Sequence, residues 1–160
     1  MTKSISKVKV YKKYIFGEMS KNKMFGIDDL DHLVESLSAS QSKLMCRYFS
    51  YLRKNSVYDF IKSGPDNWKG LTVDINNIYV EKVNNGVNAL LEKNEWSLAK
   101  IVEDSEIGVH EEFKKQGEID SRLAMFIAKK AGDKYKIVDG IHRVIRLGFD
   151  GKKEFELIYY

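Results

Sequence analysis

The run Leu123-Ala124-Met125-Phe126-Ile127-Ala128 constrains the fold of this chain more than any other segment. It is apolar at every position, so both alternating faces of a strand built from it need cover. A central strand with packed layers on both sides is therefore expected. Gly132-Asp133 follows as a turn, and Tyr135-Lys136-Ile137-Val138 reads as the hairpin partner. Leu71-Thr72-Val73-Asp74-Ile75 and Phe155 to Tyr159 read as further strands, the last one after a Gly-rich turn at Gly148 and Asp150-Gly151.

The only proline, in Ser63-Gly64-Pro65, is the clearest break in the chain. Before it, Val8 to Phe16 reads as a short strand or hairpin edge, and residues 17–26 as a polar loop. From Ile27 the pattern turns helical, with Leu30, Leu33, Val34 and Leu37 as a stripe. Ser40 suits the N-cap of a second helix with Leu44, Met45, Tyr48, Phe49 and Leu52 inward, and a third short helix spans Val57–Ile61. A helical cap explains these elements better than a helix-turn-helix, since nothing marks a recognition helix. After the break, helical segments are expected at Val87–Leu91, around Leu98, Ile101 and Val102, and at Val109–Gln116, the last closed by Gly117. The expected class is α+β, a mixed sheet with helices. An N-terminal strand and helical cap (1–69) would precede the main domain (70–160).

With 43% hydrophobic and 31% charged residues, the chain can bury a core. No apolar run approaches the roughly 20 residues of a membrane span, and no secretory h-region is legible. The single cysteine, Cys46, has no partner for a disulfide or for zinc-ligand spacing, and it reads as a small buried hydrophobe. A cytoplasmic protein, free or nucleoid-associated, is expected. Net charge is +4, distributed unevenly. Residues 1–70 carry 13 Lys/Arg against 7 Asp/Glu, and residues 71–160 carry 14 against 16. The basic first half is compatible with DNA as a partner.

The segment Ile137-Val138-Asp139-Gly140-Ile141-His142-Arg143-Val144-Ile145-Arg146-Leu147-Gly148 carries the chemistry. At about 100° per residue, Ile141, Val144 and Ile145 fall in one arc toward the core. His142, Arg143 and Arg146 fall in the opposite arc. Gly140 removes a Cβ at the strand-to-helix junction, where free backbone N–H groups await an acceptor. A helix start with a histidine and an arginine in its first turn is an anion site, and phosphate is the usual anion. Such cations oppose the helix dipole, so a bound anion compensates them. Asp139 is also placed to be simply the helix N-cap.

Val138-Asp139-Gly140-Ile141-His142-Arg143 followed by Leu147-Gly148 resembles the "DGHHR…LG" segment of the ParB/sulfiredoxin superfamily. The match covers about residues 107–160, with a weaker echo at Leu71–Ile78. The resemblance implies a ParB/sulfiredoxin-like fold and a turn that holds nucleotide phosphates through Gly140, His142, Arg143 and Arg146. Ile141 stands where sulfiredoxins place their catalytic cysteine, which excludes that reaction. ParB partition proteins continue into DNA-binding and dimerisation domains, whereas this sequence ends at Tyr160, so a full partition role is not expected. A nucleotide with Mg²⁺ or Mn²⁺ is the implied cofactor.

Phosphoryl chemistry needs a base or a metal ligand beside the phosphate. Glu111, in Val109-His110-Glu111-Glu112-Phe113, and Asp139 are the candidates; the glutamates equally suit a helix first turn. Glu103-Asp104-Ser105-Glu106 reads as a solvated loop, and His32 carries no pattern. Trp68 and Trp96 are able to stack on bases, although packing is the plainer role. The expected function is a phosphate- or nucleotide-binding protein acting on nucleic acid, as a metal-dependent nuclease or nucleotide hydrolase. The alternatives are a small-metabolite kinase resembling free serine kinases and a non-catalytic DNA-associated regulator.

Overall fold

Met125 to Ala128 lie at the middle of a mixed sheet whose two faces carry separate cores. The structure is a computed structural model and describes residues 3–52, 57–80, 96–103, 120–123 and 125–160. Among them are seven strands: β1 (Lys3–Ile5), β2 (Lys69–Asp74), β3 (Ile78–Val80), β4 (Trp96–Ser97), β5 (Ile127–Ala131), β6 (Lys134–Asp139) and β7 (Glu154–Tyr159). Their order is β1-β2-β7-β5-β6-β3-β4. β5 runs parallel to β7 and β6 parallel to β3, while the other neighbours are antiparallel. The helices are α1 (Lys7–Ser20), α2 (Ile27–Glu35), α3 (Ala39–Leu52), α4 (Tyr58–Ser63), α5 (Leu98–Glu103) and α6 (Ile141–Phe149). The class is α+β.

Met125 and Ile127 pack into the core beneath the N-terminal helices, with Val10, Tyr14, Leu30 and Trp68. Phe126 and Ala128 pack into the opposite core, with Leu98, Ile101, Val144 and Ile145 of α5 and α6. The all-apolar run thus has two covered faces, as expected. The strand itself starts only at Ile127 and continues to Ala131, because Ser121–Leu123 forms a 3₁₀ turn. The hairpin through Gly132-Asp133 and the final strand fall where the sequence put them.

Residues 8–16 are helical, not extended. Ser6 caps α1, its side chain accepting from the Lys9 N–H at 3.3 Å. Val10, Tyr11, Tyr14 and Ile15 recur at helical spacing and are all buried. The alternation of Lys7-Val8-Lys9-Val10 imitates a strand for one turn only, and burial of the later stripe decides the outcome. α1 also extends through Gly17 to Ser20, so the loop is shorter than expected. At the start of α3, Ser38 and Gln41 cap each other: Gln41 N–H donates to Ser38 Oγ (3.1 Å), and Ser38 N–H donates to Gln41 Oε1 (2.8 Å). The cap is therefore Ser38 and not Ser40. α3 turns Ser42 and Cys46 inward, whereas Leu44, Tyr48 and Tyr51 are exposed. Its apolar arc is wider than the strip α1 covers. The Cys46 thiol is pushed up to about 12 by burial.

The N-terminal core is aromatic. Trp68 stacks on Phe60 with centroids 4.2 Å apart, and its indole N–H donates to the Phe60 carbonyl at 2.9 Å. Tyr14 sits 4.7 Å from the same indole. Each such buried ring contributes on the order of 1.5–3 kcal/mol. β1 is the outer neighbour of β2, and buried residues of α1 to α4 with Trp68 share their core with Met125, Ile127 and Ile158. No helix among the described residues is long and apolar enough to cross a membrane.

Candidate functional site

β6 delivers Asp139 to the turn through a bulge. Ile127 pairs with Asp139 but Ala128 pairs with Ile137, so Val138 is an extra residue. Bulges of this kind re-aim the side chains that follow them. Oδ2 of Asp139 is buried and has no hydrogen-bond partner among the described residues. Asp139 is not the helix cap: Gly140 holds that position at φ +86°, and no side chain caps α6. Gly140 is required here, because a Cβ would lie 2.8 Å from the Met125 carbonyl oxygen and 2.9 Å from the Phe126 ring. The space its missing side chain leaves is thus taken by the chain's own backbone.

α6 presents Val144 and Ile145 to the core, with Ile141 half-buried beside them. Gly148 lies within the helix, not in a turn, and lets α6 approach Leu98 and Val102 of α5. The Val144 N–H closes the first turn onto the Gly140 carbonyl at 2.9 Å. The first turn contains no acidic residue, and its His142 is exposed. Arg143 is half-buried, and its Nη1 donates to the Leu123 carbonyl at 2.8 Å. Arg146 Nε pairs with Asp150 one turn on, at 3.2 Å. Asp139, Gly140, His142 and Arg143 fall within five successive residues at the turn, whereas Arg146 pairs toward the far end of its helix. Both arginines have roles within the fold, and sequence spacing held no signal for the Leu123 contact.

Glu111 lies outside the described residues, as do Val87–Leu91, Val109–Gln116 and Gly117. Glu103 ends α5, and the acidic residues after it lie outside as well. Among the described residues no three His, Cys, Asp or Glu side chains gather to hold a metal ion. His32 is exposed in the last turn of α2. Trp68 is fully buried, and Trp96 is half-buried against the α5–α6 core.

Several lysines of the basic first half pair with acids. Lys9 and Lys13 both reach Glu156 on β7, at 3.2 and 3.0 Å. Lys12 donates to the Glu35 carbonyl at 2.8 Å, and Lys43 pairs with Asp66 at 2.6 Å. Lys9, Lys12, Lys13, Glu35 and Glu156 border a groove of about 540 Å³ that also includes Asp31 and Arg122. Burial would raise the carboxyl of Glu156, but the hydrogen bonds and charges of Lys13 and Lys9 outweigh it and hold the group low. Lys13 is shifted down, because desolvation exceeds the help of Glu156. The groove is a mixed-charge seam and not a uniformly positive surface.

No protein-family model matches the sequence, and no curated protein or solved structure matches it. The fold and the turn define an α+β protein with a mixed sheet and an uncapped helix start beside a buried carboxylate oxygen. The likeness to the ParB/sulfiredoxin superfamily rests on the motif residues themselves.

Proposed function

We propose that this chain binds phosphate groups at the turn Asp139–Arg143 and acts on nucleic acid. The observation that carries this reading is the start of α6. It has no side-chain cap and no acid in its first turn, that turn carries the exposed His142, and Oδ2 of Asp139, the residue before the cap position, is buried with no partner among the described residues. Unpaired N–H groups and an imidazole favour phosphate oxygens. A buried carboxylate oxygen without a donor favours a hydroxyl or a cation. A nucleotide phosphate with its ion answers both requirements. Mg²⁺ or Mn²⁺ is commonly held by one or two carboxylates together with phosphate oxygens and water, and Asp139 fits such a role. Hydrolysis of a phosphoester would use water as the nucleophile, with Glu111 or Asp139 taking its proton.

A non-catalytic regulator is the second reading. It is favoured by Arg143 and Arg146, whose engagement with Leu123 and Asp150 suits a stable anion sensor.

Thermal-shift measurements with inorganic phosphate, nucleoside triphosphates and Mg²⁺ or Mn²⁺ test the site. Phosphate compounds are expected to raise the wild-type melting temperature by a few degrees, and His142→Ala and Asp139→Asn to reduce the response. If no phosphate compound stabilises the wild type, or if both variants respond equally to it, the reading fails. Hydrolysis of a labelled nucleotide or DNA then separates enzyme from regulator.

A further inference from the structure

One face of α1 and one face of α2 line the groove of about 540 Å³. Lys9, Lys12, Lys13 and Phe16 recur at i, i+3, i+4 and i+7 along α1, and Asp31, Val34 and Glu35 at i, i+3 and i+4 along α2. A volume of this size falls in the range of small-molecule sites, about 300–1,000 Å³. Part of the charge in the lining is settled within the fold. Lys12 is held by Glu35, and Arg122 by Asp28 and Asp120. Two positions are not settled. Asp31 is half-buried and has no hydrogen bond or ion pair among the described residues. Lys9 and Lys13 share a single carboxylate, that of Glu156, so each ammonium places one of its three N–H donors there. Burial holds the Lys13 ammonium below its usual range despite Glu156, and the charges of Lys152 and Lys9 push the same way. One acid therefore leaves this pair of cations under-compensated.

A deficit of each sign in the lining of one groove selects a ligand that carries both charges. A simple anion would satisfy the lysines but face Asp31, and a simple cation would satisfy Asp31 but face two lysines. Val8, Val34 and Phe16 add apolar surface to the same lining, which favours a ligand with a hydrocarbon body over a solvated ion. We infer that the groove between α1 and α2 binds a small zwitterion. Its ammonium pairs with Asp31, its carboxylate takes the remaining donors of Lys9 and Lys13, and its apolar part lies against Val34 and Phe16. Free amino acids and short peptides share this chemistry. The Lys9–Phe16 face of α1 is about 10 Å long at a rise of 1.5 Å per residue. Three extended residues match that length at about 3.3–3.6 Å each, so a tripeptide fits better than a single amino acid. None of these side chains belongs to the turn Asp139–Arg143, so failure of either site leaves the other standing.

The test is isothermal titration calorimetry of the full chain with the tripeptide alanyl-leucyl-alanine, its N-acetylated and C-amidated forms, and leucine. The unblocked tripeptide is expected to bind, and blocking either end to weaken binding at least tenfold. Tighter binding of the tripeptide than of leucine identifies the zwitterion as a peptide, and the reverse order identifies it as a free amino acid. Asp31→Asn should weaken the unblocked tripeptide at least tenfold and leave the weaker binding of the N-acetylated form unchanged. Lys9→Gln should weaken the unblocked tripeptide several-fold and leave the C-amidated form unchanged. Asp29→Asn, at an exposed acid of α2 outside the groove lining, should bind as the wild type does. The blocked peptides probe both contacts without altering the protein, so a variant that fails to fold leaves the test readable. Binding of neither leucine nor the tripeptide, equal binding of blocked and unblocked forms, or wild-type affinity in Asp31→Asn would overturn the inference.

Discussion

The two ends of the β5–β6 hairpin hold their cations in opposite ways. At the turn end, Arg143 donates into the Leu123 carbonyl and Arg146 pairs with Asp150. At the other end, Lys129 faces Lys136, while Lys130 and Lys134 lie over tyrosine rings. The first set binds to oxygen acceptors of the fold; the second includes a like-charge cross-strand pair and two ammonium groups over aromatic rings. The number of cations in a segment is thus a poor guide to where positive charge is available, because a planar guanidinium close to an unpaired carbonyl is captured by it. The N-terminal half repeats the lesson, since Lys9, Lys12, Lys13 and Lys43 all engage acids or carbonyls.

The largest effect expected is at Gly140. Gly140→Ala places a Cβ against the Met125 carbonyl at a φ of +86°, so stability should fall by about 2–4 kcal/mol in urea unfolding. A variant as stable as the wild type would mean that the turn is not built around this glycine. Arg143→Ala should cost about 1.5–3 kcal/mol by leaving the Leu123 carbonyl without its donor, with partial recovery in Arg143→Lys. If Arg143→Ala is neutral, the two ends of the hairpin do not differ as described. The smallest effect has the opposite sign. Lys129→Glu turns a repelling cross-strand pair into an attracting one and should raise stability by about 0.2–1 kcal/mol at low salt. The gain should shrink at high salt.

Much of the fold is legible where one element determines its own pattern. The core arc of α6 and the hairpin turn at Gly132-Asp133 follow from period and turn chemistry. Residues 8–16 defeat that approach, because a lysine–valine alternation precedes the helical stripe and packing against α3, α2 and β2 chooses between them. The outward Leu44 and Tyr48 show the same limit: amphipathicity locates an apolar arc but not how much of it is covered. For the candidate site, the turn itself is read from Asp139-Gly140 and the apolar stripe after it. Arg143's carbonyl partner, 20 residues away, is not.

The sequence by itself determined the central two-faced strand, the hairpin after it and the glycine at the start of α6, since each depends on local geometry and the side chain's affinity for water. Tertiary structure alone decided the strand order, the bulge at Val138 and the partners of each cation. Those depend on which distant groups are brought within hydrogen-bonding reach, and a distance through space is not written in the spacing along the chain.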